Sequence, residues 1–134
     1  MRVLPAMTAA LLCFASAAFA GEPRIGQMAF ALEQSNAAQT VFAPDAPKII
    51  LHVQIQDMPK GARVTADWIA AKTNAAPANY KIDSASVELD KDVASSEVTF
   101  SLSRPNAGWP VGDYRVDLSI NGKVAKSPEF KVAK

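Results

Sequence analysis

Apolar and polar side chains alternate with period two in stretch after stretch of this chain. The clearest run is Lys48 to Gln56. Ile49, Leu51, Val53 and Ile55 fall on one face; Ile50, His52, Gln54 and Gln56 fall on the other. Period two with one wet face predicts a half-buried antiparallel strand. Arg63 to Ile69 follows the same rule, with Val64, Ala66 and Trp68 inward and Arg63, Thr65 and Asp67 outward. Glu97 to Ser103 sets Val98, Phe100 and Leu102 against Thr99 and Ser101. Tyr114, Val116, Leu118 and Ile120 share a face of a further strand. Ile25 to Glu33 reads as the first strand, with Met28, Phe30 and Leu32 on one side. Tyr80 to Ile82 predicts a short edge strand, and Ala85, Val87 and Leu89 a separate one.

The segments between these runs are turn chemistry. Val41 to Pro47 holds two prolines three apart, which a paired strand interior does not tolerate, so it reads as a turn with Phe42 tucked under the core edge. Asp57-Met58-Pro59-Lys60-Gly61 closes the strongest strand, and Ala70 to Asn79 reads as a connection. Asp90-Lys91-Asp92 is a charged turn, and Arg104 to Gly108 ends the strand before it. Asn121-Gly122 is a strong hairpin signal, because both central residues of a type I′ turn need positive φ. Lys123 to Val132 returns from it as the last strand, with Pro128 marking an edge or bulge and Phe130 and Val132 inward. Seven to eight short strands with turn signals about every ten residues, and no long amphipathic helix, predict an all-β two-sheet sandwich.

The N-terminus alters where this domain is expected to work. Met1-Arg2 is followed by an uncharged stretch from Val3 to Ala20 that ends Ala18-Phe19-Ala20 before Gly21. That is the layout of a secretory signal peptide cleaved after Ala20. The stretch is short for a membrane span and is broken by Pro5, Thr8 and Ser16. Leu12 before Cys13 makes a poor lipidation site, so Cys13 is expected to leave with the signal. The expected organisation is a signal peptide over residues 1–20 and one domain over 21–134, periplasmic or secreted. Cleavage takes Arg2 from the 14 basic residues and nothing from the 13 acidic ones, so the mature chain is formally neutral. That balance gives no electrostatic reason to bind nucleic acid or anionic lipid. No cysteine remains, so the core must hold without a disulfide.

The Gly108-Trp109-Pro110-x-Gly112-x-Tyr114 block, with Val116 two residues on, resembles the tyrosine corner of immunoglobulin-like domains. The resemblance implies that Val116 stands where the second bridge cysteine would be and Val53 or Ile55 where the first would be. It puts Trp68 at the core tryptophan position and has the Tyr114 hydroxyl bonding upstream backbone. Over roughly residues 40 to 134 the chain looks like small exported bacterial proteins with this fold. The carrying residues are Pro59-Lys60-Gly61, Asp67-Trp68, the Gly108–Tyr114 block, Asn121-Gly122 and Phe130-x-Val132. These motifs are structural, and no active residue comes with them.

Candidate chemistry is sparse. His52, the one histidine, falls on an outward face. A metal site usually needs three or four ligands, and Met28 and Met58, the soft donors that could join His52 around copper, read as core and turn. With one His and no Gly-x-Ser-x-Gly elbow there is little basis for a hydrolase triad. No catalytic residue, cofactor or metal ligand is assigned, and the chain is not expected to be an enzyme. Trp109 and Pro110 form the candidate partner-binding loop, although Trp109 reads first as a cover for the open end of the sandwich. Two edges are candidates for strand addition, the first strand and the Pro128-containing last one. The expected role is a non-enzymatic exported interaction or accessory module of the bacterial cell envelope, with an unidentified protein partner and no lasting membrane anchor. The alternatives are a periplasmic carrier of a small ligand or metal, and an inhibitor of an exported enzyme.

Overall fold

Two sheets face each other across one apolar core in this computed structural model, which describes residues 22–33, 35 and 37–134. The expected signal peptide, its cleavage point after Ala20 and Cys13 lie outside the described residues. In chain order the strands are β1 Arg24–Leu32, β2 Val41–Phe42, β3 Lys48–Met58, β4 Arg63–Thr73, β5 Tyr80–Glu88, β6 Val93–Ser103, β7 Gly112–Ile120, β8 Lys123–Lys126 and β9 Glu129–Val132. The small sheet has the order β1-β3-β6. The large sheet runs β2-β9-β7-β4-β5, and β8 also pairs with β7. All pairings are antiparallel except β2 with β9.

Alternation explains the core. Ile49, Leu51, Val53 and Ile55 of β3 and Val64, Ala66 and Trp68 of β4 are buried, as are Tyr114, Val116 and Leu118 of β7. Burying these rows on facing sheets is the main favourable term, and no disulfide is needed to close the sandwich. Six aromatic residues pack at one end. Phe130 lies at their centre, with ring centroids 4.9 Å from Phe30, 5.0 Å from Tyr114, 5.8 Å from Phe42, 6.1 Å from Trp68 and 6.4 Å from Trp109. The Trp68 indole N–H is buried without a hydrogen-bond partner among the described residues.

Several boundaries differ from the sequence-based expectation. Val41–Phe42 is a strand, because its two residues pair in parallel with Lys131 and Val132 before Pro44 stops the ladder. Asp57 adopts φ 54 and breaks the alternation at the end of β3, which turns Met58 into the core at 1% exposed rather than leaving it in a turn. β4 continues to Thr73, since Ala70, Lys72 and Thr73 still pair with β7 across a register shift. Tyr80–Ile82 and Ala85–Val87 belong to one strand, β5, whose ladder with β4 absorbs an irregularity at Trp68/Ile69. The last strand is split into β8 and β9 at Ser127-Pro128: Pro128 has no N–H to give, and its carbonyl accepts the Val116 amide at 2.9 Å. The hairpin at Asn121-Gly122 matches the expectation, with φ 51 and 88 and Ile120 paired to Lys123. Asn121 also accepts the Arg63 amide through its side chain at 3.0 Å, tying the hairpin to β4.

Candidate functional site

The loop from Pro105 to Gly112 is held from inside. Gly108 turns at φ 88 and its amide bonds the Pro105 carbonyl. The Trp109 amide donates to the Pro44 carbonyl at 2.9 Å, and its indole N–H donates to the Ala46 carbonyl at 2.8 Å. Trp109 is 2% exposed and lies edge-on to Tyr114, so it does not present an indole face to a partner. The indole closes the end of the sandwich, the first of the two readings of Trp109 from sequence. Pro110 is half-buried and uses its carbonyl to accept the Tyr114 hydroxyl. What the loop shows to solvent is Asn106, Ala107 and Val111.

Tyr114 is fixed by stacking on Phe130 and by the bond to Pro110, four residues upstream. Burial pushes its phenol up to about 12 from the usual 10. The unfolded chain releases this proton first, near pH 10. The stability contributed by the protonated phenol is therefore complete below pH 10 and is lost as pH rises towards 12. Tyr114→Phe is expected to cost about 0.5–1.5 kcal/mol at neutral pH, the net value of one hydrogen bond. It should also flatten the fall in melting temperature between pH 10 and 12. Melts of both proteins over that range test this; an equal fall in both would remove Tyr114 from the effect.

His52 occupies the wet face of the small sheet. Its Nδ1 is 2.7 Å from Glu97 Oε2, and both side chains are largely exposed. Beside them is a shallow open depression of about 500 Å³, bordered by Gln27, Met28, Gln54 and Ser95. Met28 borders the depression but pairs with inward-facing Val53 and packs against the core, and Met58 is in the core. Among the described residues no three His, Cys, Asp or Glu side chains stand together as a metal site. Among the described residues no hydroxyl is bonded to the His52 ring, and its partner is Glu97. Glu97 was legible only as one of many acids, because its approach to His52 depends on the β3–β6 register, in which it faces Gln54.

The open strand edges are the remaining surfaces. Among the described residues β1 pairs with β3 alone, as expected of an edge. β9 does not, because it lies between β7 and β2; the last strand offers an edge only through β8. β5, which includes the expected edge segment Tyr80 to Ile82, and β6, which the pattern did not single out, each pair on one side only among the described residues. Edge status belongs to strand order, and alternation along a strand carries no information about its neighbours.

Two sheets in this order, a buried Trp68 and a tied Tyr114 define an immunoglobulin-like sandwich. Comparison with solved structures agrees. The chain is similar to an immunoglobulin-like protein from Pseudomonas aeruginosa, with a TM-score of 0.55 and 16% identity over 86% of this chain and 99% of that one. It is also similar to the alkylpurine DNA glycosylase AlkC of Pseudomonas fluorescens, solved with DNA containing an abasic site analogue, with a TM-score of 0.54 and 15% identity. That likeness covers 84% of this chain but only 31% of the glycosylase. At such identities both likenesses show the fold alone. No protein-family model matches the chain, and no curated protein does.

Proposed function

We propose that this chain is a non-enzymatic interaction or accessory module of the bacterial cell envelope, exported by its N-terminal segment. The Gly108–Tyr114 block would mark it as one of the small exported proteins that carry this fold. The observation that supports the reading is the set of open strand edges, above all β6, which is eleven residues long and, among the described residues, hydrogen-bonded on one side. An edge of that kind offers a row of backbone donors and acceptors to another strand, the basis of recognition by strand addition. The balanced charge of the mature chain gives no support for carrying over the DNA seen with the glycosylase. Cross-linking in the native envelope, followed by identification of the attached species, tests the proposal. Covalent adducts through strand edges are expected. Recovery of the uncross-linked chain alone would count against it.

A second reading, a carrier of a small ligand or metal, takes its support from the His52–Glu97 pair at the open depression. Two side-chain donors are fewer than most metal sites hold, and Met28 packs against the core. Titration with Cu(I) and Cu(II) watched through the His52 ring NMR signals is expected to show at most weak shifts. Strong, saturable shifts would move this reading ahead of the first.

A further inference from the structure

We infer that β6 is a self-pairing edge: two copies of the chain join antiparallel along Val93–Ser103, fusing two three-stranded sheets into one of six. The inference rests on the interaction-module reading and names its edge and partner.

Natural sheets protect their edges with short strands, charges, proline, bulges or covering loops. Every other edge here carries such a device. β1 has a register irregularity between Ile25 and Met28, and the following loop covers part of it, with the Gln39 amide on the Phe30 carbonyl at 2.9 Å. β2 is two residues long and is followed by Pro44. β5 carries Lys81, Asp83 and Glu88. β8 is four residues long, with Lys123 and Lys126, and Pro128 follows. β6 has only one of these, the single charge of Glu97. It has no proline, lysine or arginine, and its register with β3 runs from Ser103 to Val93 without a shift. Among the described residues no loop backbone is bonded to β6. Val98 and Leu102 on its inner face are only half-buried, and among the described residues no fourth strand lies beside them.

The strand is complementary to itself. In an antiparallel pair about a two-fold axis normal to the sheet, full overlap of Val93–Ser103 puts Val98 on the axis. On the inner face Val98 then meets Val98, Ser96 meets Phe100, and Ala94 meets Leu102, so small faces large. On the outer face Ser95 meets Ser101, and Glu97 meets Thr99. Glu97 is the single charge in β6, and full overlap sets it against a hydroxyl rather than against its own copy. A strand this neutral has little with which to select a charged partner, whereas it suits a second copy of itself. Cross-strand pairs of these kinds favour association, and like charges placed opposite each other oppose it.

Sedimentation velocity of the full exported chain over a concentration series is the test. A reversible dimer is expected. The double substitution Thr99→Glu/Ser101→Glu changes two exposed positions and sets a new carboxylate opposite Glu97 twice per dimer. It should weaken dimerisation on the order of tenfold without lowering the monomer's melting temperature. Thr99→Lys should have the opposite effect, because position 99 faces Glu97. A monomer at every concentration would overturn the inference, as would a dimer that ignores both changes. A monomer that still cross-links through β6 to a different envelope protein overturns this inference and leaves the interaction-module reading standing. Absence of both dimer and cross-link defeats the two together.

Discussion

Phe130→Ala should be among the most destabilising single truncations in this protein, at about 3–5 kcal/mol and towards the upper end of that range. Two effects add. Removing a phenyl ring from a close-packed core loses its transfer free energy and leaves a cavity. Here the ring also touches five other aromatic residues, and such pairs contribute beyond their buried area. Those five residues come from β1, β2, β4, β7 and the loop before β7, so no single element can move in to fill the space. Phe100 provides the control. It is equally buried, at 4% exposed, but lies outside this aromatic cluster. Denaturant midpoints of Phe130→Ala and Phe100→Ala make the comparison. If Phe130→Ala costs no more than Phe100→Ala, the central role of this ring is wrong.

Gly112→Ala should be nearly as damaging, at about 2–5 kcal/mol, although it adds one methyl group. Gly112 opens β7 at φ 153, a conformation that side chains resist. A Cβ there would lie 2.2 Å from the Lys72 carbonyl oxygen and 2.9 Å from Thr73 Cα. Both are backbone atoms of the paired strand β4, so relief requires separating β7 from β4 at the root of the Tyr114 corner. Gly122 separates the two components of this cost. It has φ 88, but nothing lies within 4 Å of the position a Cβ would take. Gly122→Ala should therefore lose only the conformational part, about 1–2 kcal/mol. Urea denaturation of the two variants checks the argument. Equal losses would show that the close approach to Lys72 adds nothing.

The contrast between these glycines shows what was legible. Asn121-Gly122 announces its hairpin in sequence, because a turn is a local object and its φ values constrain residue type directly. Gly112 stands in a block that marks the tyrosine corner, but its tightest constraint comes from Lys72 and Thr73, some forty positions away. The inward rows of β3, β4 and β7 were readable from alternation alone. The places where alternation failed, at Asp57-Met58 and along β5, are those where a positive φ or a ladder irregularity changes which face a residue takes. The same limit applied to the candidate site. Trp109 sits on a loop whose sequence suits either an exposed anchor or a buried cover. The choice was made by two carbonyls, those of Pro44 and Ala46, that its backbone and indole N–H groups reach.

By itself the sequence determined the class of fold, the main strands and the residues facing the core, because a two-residue period sorts side chains between oil and water regardless of partner. It also determined the charge balance and the absence of cysteine after residue 13. Only the tertiary structure decided that β6 is an edge and β9 is not, that Trp109 is inside, that Glu97 meets His52, and that Phe130 joins five rings. Those are properties of register and strand order. They arise from pairings between distant segments, which no local pattern along one strand encodes.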